Sequence, residues 1–146
     1  MKAKPFFVLF FAVALGLGAL SLYMYLTIER ADKTITAVVS PDNKFKAVRI
    51  TLAGGEPKPF CFDSISVLLA VYPDGFAERN KAYEVFSGPC DVPERRKVSP
   101  KIEWLTDRTL RITYSPETPG FNEKKAVKKH LDVTKSVKVT FEEKDG

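Results

Sequence analysis

A small antiparallel β domain, arranged as a twisted sheet or a small sandwich, behind one N-terminal transmembrane helix is the architecture this sequence predicts. Three observations carry that prediction. Residues 5–28, PFFVLFFAVALGLGALSLYMYLTI, are 24 consecutive residues without a charge, and a helix rising ~1.5 Å per residue over that length spans a ~30 Å hydrocarbon core with tilt to spare. The remainder alternates apolar and polar residues with period two, in runs rich in Val, Ile, Thr, Phe and Tyr. Clusters of Pro, Gly and Asp punctuate those runs, and such residues turn an extended chain.

The apolar run reads as an uncleaved signal anchor. Lys2 and Lys4 make residues 1–4 a positive n-region that stays in the cytoplasm, whereas Glu29, Arg30, Asp32 and Lys33 on the far side sum to zero. Tyr23 and Tyr25 fall near the outer boundary, where aromatic rings favour the bilayer interface. A signal-peptide core is about 7 to 15 residues, shorter than this run; cleavage after the small-x-small triplet Ala19-Leu20-Ser21 is the alternative. Residues 29–33 then serve as a linker, and residues 34–146 form the exported domain, in the periplasm or outside the cell. The part beyond Ile28 is long enough for one hydrophobic core.

Thr34 to Val39 reads as the first strand. Ser40-Pro41-Asp42-Asn43 is a turn with proline preset at its second position, and Lys44 to Leu52 returns. On the returning strand Phe45 and Ala47 share a face with Arg49, while Lys46, Val48 and Ile50 share the other, so the pattern does not select a register. Residues 53–60, AGGEPKPF, break helix and strand alike and read as a loop. Ser64 to Tyr72, SISVLLAVY, is nearly continuous in apolar residues, as suits a central strand buried on both faces; it stops at Pro73-Asp74-Gly75. A short strand over Ala82 to Phe86 follows. Ser87 to Pro100 is a second loop with three prolines and the charged run Glu94-Arg95-Arg96-Lys97. Lys101 to Leu105 and Thr109 to Tyr114 flank Thr106-Asp107-Arg108 as a second tight hairpin, with Trp104, Leu110, Ile112 and Tyr114 facing the core. Ser115 to Gly120 is a loop, and Ser136 to Glu142 is the last strand, with Val137, Val139 and Phe141 on one face.

Residues 121–134, FNEKKAVKKHLDVT, admit two readings. A short helix near 122–131 gathers Ala126, Val127, His130 and Leu131 on one face; a strand fits equally well. Lys124, Lys125, Lys128, Lys129 and His130 make the largest local concentration of positive charge. Contact with an anionic surface, either lipid headgroups or an acidic partner, is the functional reading, and a solvated charged face is the structural one.

Both cysteines, Cys61 and Cys90, lie in the exported part. An oxidising compartment favours their pairing, and closing a loop of ~30 residues stabilises the fold by roughly 3 kcal/mol in the chain-entropy account. Two buried, unpaired thiols are the alternative. No metal site or cofactor is expected, since His130 is the only histidine and no Cys-x-x-Cys spacing occurs.

The runs Ser40-Pro41-Asp42-Asn43-Lys44-Phe45-Lys46-Ala47-Val48, Gly54-Gly55, Ser64-Ile65-Ser66-Val67-Leu68 and Trp104-Leu105-Thr106-Asp107-Arg108-Thr109-Leu110-Arg111-Ile112-Thr113-Tyr114 occur in that order. In this the chain resembles an uncharacterised family of small bacterial envelope proteins. That family combines an N-terminal membrane segment or lipoprotein signal with an SPDGKYKA-like hairpin and a W-x-x-D-x-x-L-x-I-x-Y hairpin. The resemblance spans about residues 38–142 and departs from the family pattern at Glu56-Pro57-Lys58. It implies an exported β domain and no particular activity or site residue.

Charge and motifs narrow the function classes. The chain has 23 basic and 18 acidic residues; without Lys2 and Lys4 the exported part carries only +3, with no basic stripe of the kind a nucleic-acid reader needs. The sequence has no G-x-S-x-G elbow, phosphate-binding loop, dinucleotide glycine fingerprint or His-Glu-x-x-His helix. A non-enzymatic protein is therefore expected, held to membrane lipid through residues 5–28 and binding another envelope protein. Two rivals stand beside that reading. One is a small protective or inhibitory protein presenting Glu94 to Lys97 to an enzyme. The other is an enzyme acting on an envelope polymer through converging carboxylates among Asp63, Asp74, Glu84 and Asp107.

Overall fold

A computed structural model describes residues 13–23, 31–55, 59–90, 100–118, 120 and 122–144. The chain divides into two units, Met1–Arg30 and Ala31–Gly146. In the first, residues 13–23 are helical (α1), and Val13, Leu15, Leu17, Leu20, Leu22 and Tyr23 are all exposed. Among the described residues no helix is long and apolar enough to cross a membrane; both ends of the predicted span 5–28 lie outside them.

The second unit is mostly β and contains two sheets. In the larger, β1 (Asp32–Val39), β2 (Phe45–Gly54), β3 (Phe60–Leu69), β4 (Glu84–Pro89) and the two-residue β7 (Val127–Lys128) lie side by side in the order β1-β2-β3-β4-β7, every ladder antiparallel. In the smaller, β5 (Lys101–Thr106), β6 (Thr109–Tyr114) and β8 (Lys138–Glu143) lie in the order β5-β6-β8. One core cluster draws on both sheets: Phe45, Ala47, Ile65, Val67, Val85 and Phe86 from the larger meet Leu110, Ile112, Tyr114, Val137 and Val139, with Trp104 and Phe141 packed on the margin. Of the two arrangements the sequence predicts, the sandwich is the one that forms.

The first hairpin forms because its turn satisfies its own backbone. Asn43 N–H donates to the Ser40 carbonyl at 2.9 Å and Ser40 N–H to the Phe45 carbonyl at 2.8 Å. The Ser40 hydroxyl accepts from Phe45 N–H at 3.0 Å, and Asp42 Oδ1 accepts from Lys44 N–H at 3.1 Å. Asn43 takes φ 57°, the left-handed conformation that asparagine tolerates better than most residues. The mixed pattern on β2 has a physical reason, for both of its faces are covered. Phe45 and Ala47 enter the sandwich core. Val48 and Ile50 join Leu68 and Ala77 in a second cluster on the outer face, closed by Ile35, Tyr72, Phe76 and Tyr83. That cover is a single turn of helix, α2 (Phe76–Arg79), followed by a 3₁₀ turn, Lys81–Tyr83. The Tyr72 and Phe76 rings stack 4.7 Å apart, and Lys46, itself buried, reaches Asp74 at 2.6 Å.

Several boundaries differ from expectation. Ala53 and Gly54 remain in β2, and β3 begins already at Phe60, with Gly54 opposite Phe60. β3 ends at Leu69, and β4 runs on to Pro89 instead of stopping at Phe86; proline is tolerated in that last position because no ladder bond is required of it. Of the two readings of residues 121–134, the helix near 122–131 does not form and a strand does, over Val127–Lys128. Asn122 opens a turn there, its carbonyl accepting from the Lys125 and Ala126 N–H groups and its side chain from Lys124 N–H; Val127 and Lys128 then pair with Ser87 and Phe86. Side-chain acceptors compete with helical bonds for the same donors, and β-branched Val127 favours the strand.

The expectation of an antiparallel domain fails in one ladder. β8 runs parallel to β6, from Thr109 opposite Lys138 to Tyr114 opposite Glu143. Residues 115–137 leave the smaller sheet, add β7 to the larger, and return, which is the crossover a parallel pair requires. On the way Lys129 N–H donates to the Val85 carbonyl and His130 O accepts from Val139 N–H, so consecutive residues tie both sheets together.

Candidate interaction surfaces

Cys61 and Cys90 form the predicted disulfide, their Cα atoms 4.9 Å apart across a sequence separation of 29. Phe62 lies opposite Pro89 in the ladder, and Cys90 N–H donates to the Cys61 carbonyl at 3.1 Å, so the bridge closes the last step of β3 and β4. Strand alternation then sorts the neighbours. Cys61 is buried, whereas Phe60 and Phe62 leave the opposite face 49% and 41% exposed. Leu52 pairs directly with Phe62, and Lys33 with Leu52. A Cβ at Gly54 would come within 2.3 Å of the Phe60 ring, so a residue without one gives the ring its place. Leu52, Phe60 and Phe62 thus make an exposed apolar patch where the chain enters the sheet at Asp32. Reading residues 53–60 as a loop hid this patch; the signal that could have found it is the alternation Phe60-Cys61-Phe62.

The cationic segment does not present one face. Lys124 and Lys125 are exposed in the turn before β7, and Lys129 and His130 are exposed after it. Lys128 is half-buried, 3.0 Å from both the Tyr114 hydroxyl and Glu123 Oε1, and these partners hold its ammonium above the ordinary lysine range. Burial first, and then Glu143 at 2.5 Å, push the Tyr114 phenol up against the opposing pull of Lys128. The His130 and Phe141 rings meet nearly at right angles, 5.2 Å between centroids.

The four carboxylates that an enzyme would need do not converge. Asp63 is fully buried on the sandwich face beside Thr51, whose hydroxyl donates to it at 2.5 Å. Glu84 accepts from the Ser64 hydroxyl on the opposite face. Asp74 pairs with Lys46, and Asp107 sits at the tip of the β5–β6 turn. Burial raises the Asp63 carboxyl above its usual range, with Thr51 and then Arg49 acting against the rise; Arg49 itself donates to the Pro100 carbonyl. Among the described residues no group of three or more His, Cys, Asp or Glu could hold a metal ion. The charged run 94–97 lies outside the described residues.

The sheet edges differ in how they are protected. β7 has only two residues, β5 carries Lys101 and Glu103 with a register shift after Trp104, and β8 carries Lys138, Glu142 and Glu143. Short length, charge and bulges all discourage pairing with another chain. β1 has none of these over Thr34 to Val39: six residues without charge or proline, five of them exposed. Among the described residues Trp104 reaches this stretch, its indole N–H donating to the Val38 carbonyl at 2.9 Å. No family model, characterised protein or solved structure matches this chain.

Proposed function

We propose that this is a single-pass, membrane-anchored envelope protein that acts without catalysis by adding a strand of another envelope protein to its own sheet. The observation that carries this reading is β1, an eight-residue edge strand left uncharged from Thr34 onward while the other edges are short, bulged or charged. Strand addition draws affinity from main-chain hydrogen bonds and selectivity from alternate side chains. The short separation between Ile28 and β1 supports the reading, since a membrane anchor formed by residues 5–28 would tether the edge among envelope partners. Residues 5–28 supply the span, the Lys2 and Lys4 flank keeps the N-terminus cytoplasmic, and the β domain is exported. A short helix apolar on all sides, as residues 13–23 are, suits lipid better than water. The motif resemblance to small envelope proteins points the same way.

A photoreactive residue placed at position 34 or 36 of the full chain in intact cells tests this reading. It is expected to capture one protein, and Thr36→Lys, which charges the edge without touching the core, is expected to abolish capture from position 34. Equal capture from position 103 on β5 would contradict it.

A further inference from the structure

We propose that the end of the larger sheet where the chain enters it rests on the anionic membrane surface, with Leu52, Phe60 and Phe62 among the headgroups and Lys124 and Lys125 against lipid phosphates. This inference rests on the anchor reading and adds a second, direct contact with lipid. Three residues separate Ile28, the last of the apolar run, from Asp32, the first of β1. Four steps of extended chain reach at most ~14 Å. Asp32 lies opposite Ala53, which lies opposite Cys61, so Phe60 and Phe62 are about two strand spacings, ~10 Å, from the point of attachment. An anchor formed by residues 5–28 therefore leaves this patch within roughly 24 Å of the membrane boundary.

Composition and charge agree with that placement. α2 and the 3₁₀ turn close the outer face over Val48, Ile50 and Leu68, while Leu52, Phe60 and Phe62 stay uncovered. β4 and β7 are antiparallel, Phe86 opposite Lys128 and Ser87 opposite Val127, so the chain leading into β7 lies toward Pro89, the partner of Phe62. That chain holds Lys124 and Lys125, both exposed. Among the described residues at this end, Glu123 pairs with Lys128 and Glu78 with Lys33, while Asp32 is exposed beside Ala53. Apolar and aromatic side chains with adjacent lysines are the composition that settles in the headgroup region of anionic bilayers.

The experiment places p-benzoylphenylalanine at position 60, 62 or 107 of the full chain in vesicles of phosphatidylglycerol and phosphatidylcholine, and reads lipid adducts by mass spectrometry. Position 107 is the control, since the adjacent Arg108 stacks over Phe45 at the opposite end of β2. Lipid adducts are expected at 60 and 62 and only background at 107. Lys124→Gln and Lys125→Gln are each expected to lower the yield about fivefold in the anionic vesicles and to leave it unchanged in phosphatidylcholine alone. Chain that stays with the vesicles through an alkaline wash but gives no lipid adduct at 60 or 62 overturns the surface contact and keeps the anchor. Chain that the wash removes overturns both. Adducts that ignore the lysine changes overturn the role of the anionic headgroups.

Discussion

Asp132 is nearly fully buried, and its carboxylate accepts from Thr134 N–H at 2.9 Å, Ser136 N–H at 2.7 Å, Val137 N–H at 2.7 Å and the Thr134 hydroxyl. It shapes the loop that delivers β8 to the core, and it lets Lys135 sit at φ 58°. Asp132→Ala would leave the buried Val137 N–H unmatched, at a cost of about 2 to 4 kcal/mol. Urea unfolding is expected to show that loss and a smaller one for Asp132→Asn, which keeps an acceptor oxygen. Asp63 makes a prediction in pH. Burial holds its carboxyl above the ordinary 3.8, so it binds a proton more tightly in the folded chain than in the unfolded one. Its stabilising contribution is fully present below pH 3.8 and is lost as pH rises through the folded value. Asp63→Asn cannot titrate and still accepts from Thr51. Wild-type stability relative to that variant is therefore expected to fall with rising pH over a window opening at 3.8; a difference that stays flat would contradict the buried acid.

The disulfide closes β3 against β4 beside the exposed apolar patch. Replacing Cys61 and Cys90 together by serine, or reducing the bridge, is expected to lower the unfolding free energy by about 3 kcal/mol through the freed loop. Denaturant titration with and without reductant measures it, and an unchanged midpoint in reductant would contradict it. Elements with local causes were legible in the residues. The Ser40-Pro41-Asp42-Asn43 and Thr106-Asp107-Arg108 turns carry their own bonding partners, and the alternation of Leu110, Ile112 and Tyr114 names its buried face. Elements with distant causes were not. β7 is two residues long and exists only because Phe86 and Ser87 offer it a ladder. α2 is four residues whose register comes from stacking on Tyr72 and Tyr83. The parallel pairing of β8 depends on where residues 115–137 travel, and no local pattern records a path. The apolar patch escaped for a related reason: two prolines and two glycines mark residues 53–60 as a break, while the pairing of Gly54 with Phe60 is settled by the whole length of the β2–β3 ladder.

At the scale of the whole molecule, a two-sheet sandwich begins four positions after an apolar run of 24 residues. Among the described residues β1 starts at that junction, and Leu52, Phe60 and Phe62 lie at the end of the sheet where it starts. On the proposed reading, tethering to the bilayer would make a weak strand-addition contact effective by raising the local concentration of the edge for partners in the same membrane. The same domain released into solution has no such advantage. The most direct test is chemical cross-linking in intact cells, comparing the full chain with a form whose residues 1–28 are replaced by a cleavable export signal, both purified through a C-terminal tag and read by mass spectrometry. One abundant partner captured only by the anchored chain is expected; the same partner captured equally by the released domain would contradict strand addition at the membrane and favour a diffusible inhibitor.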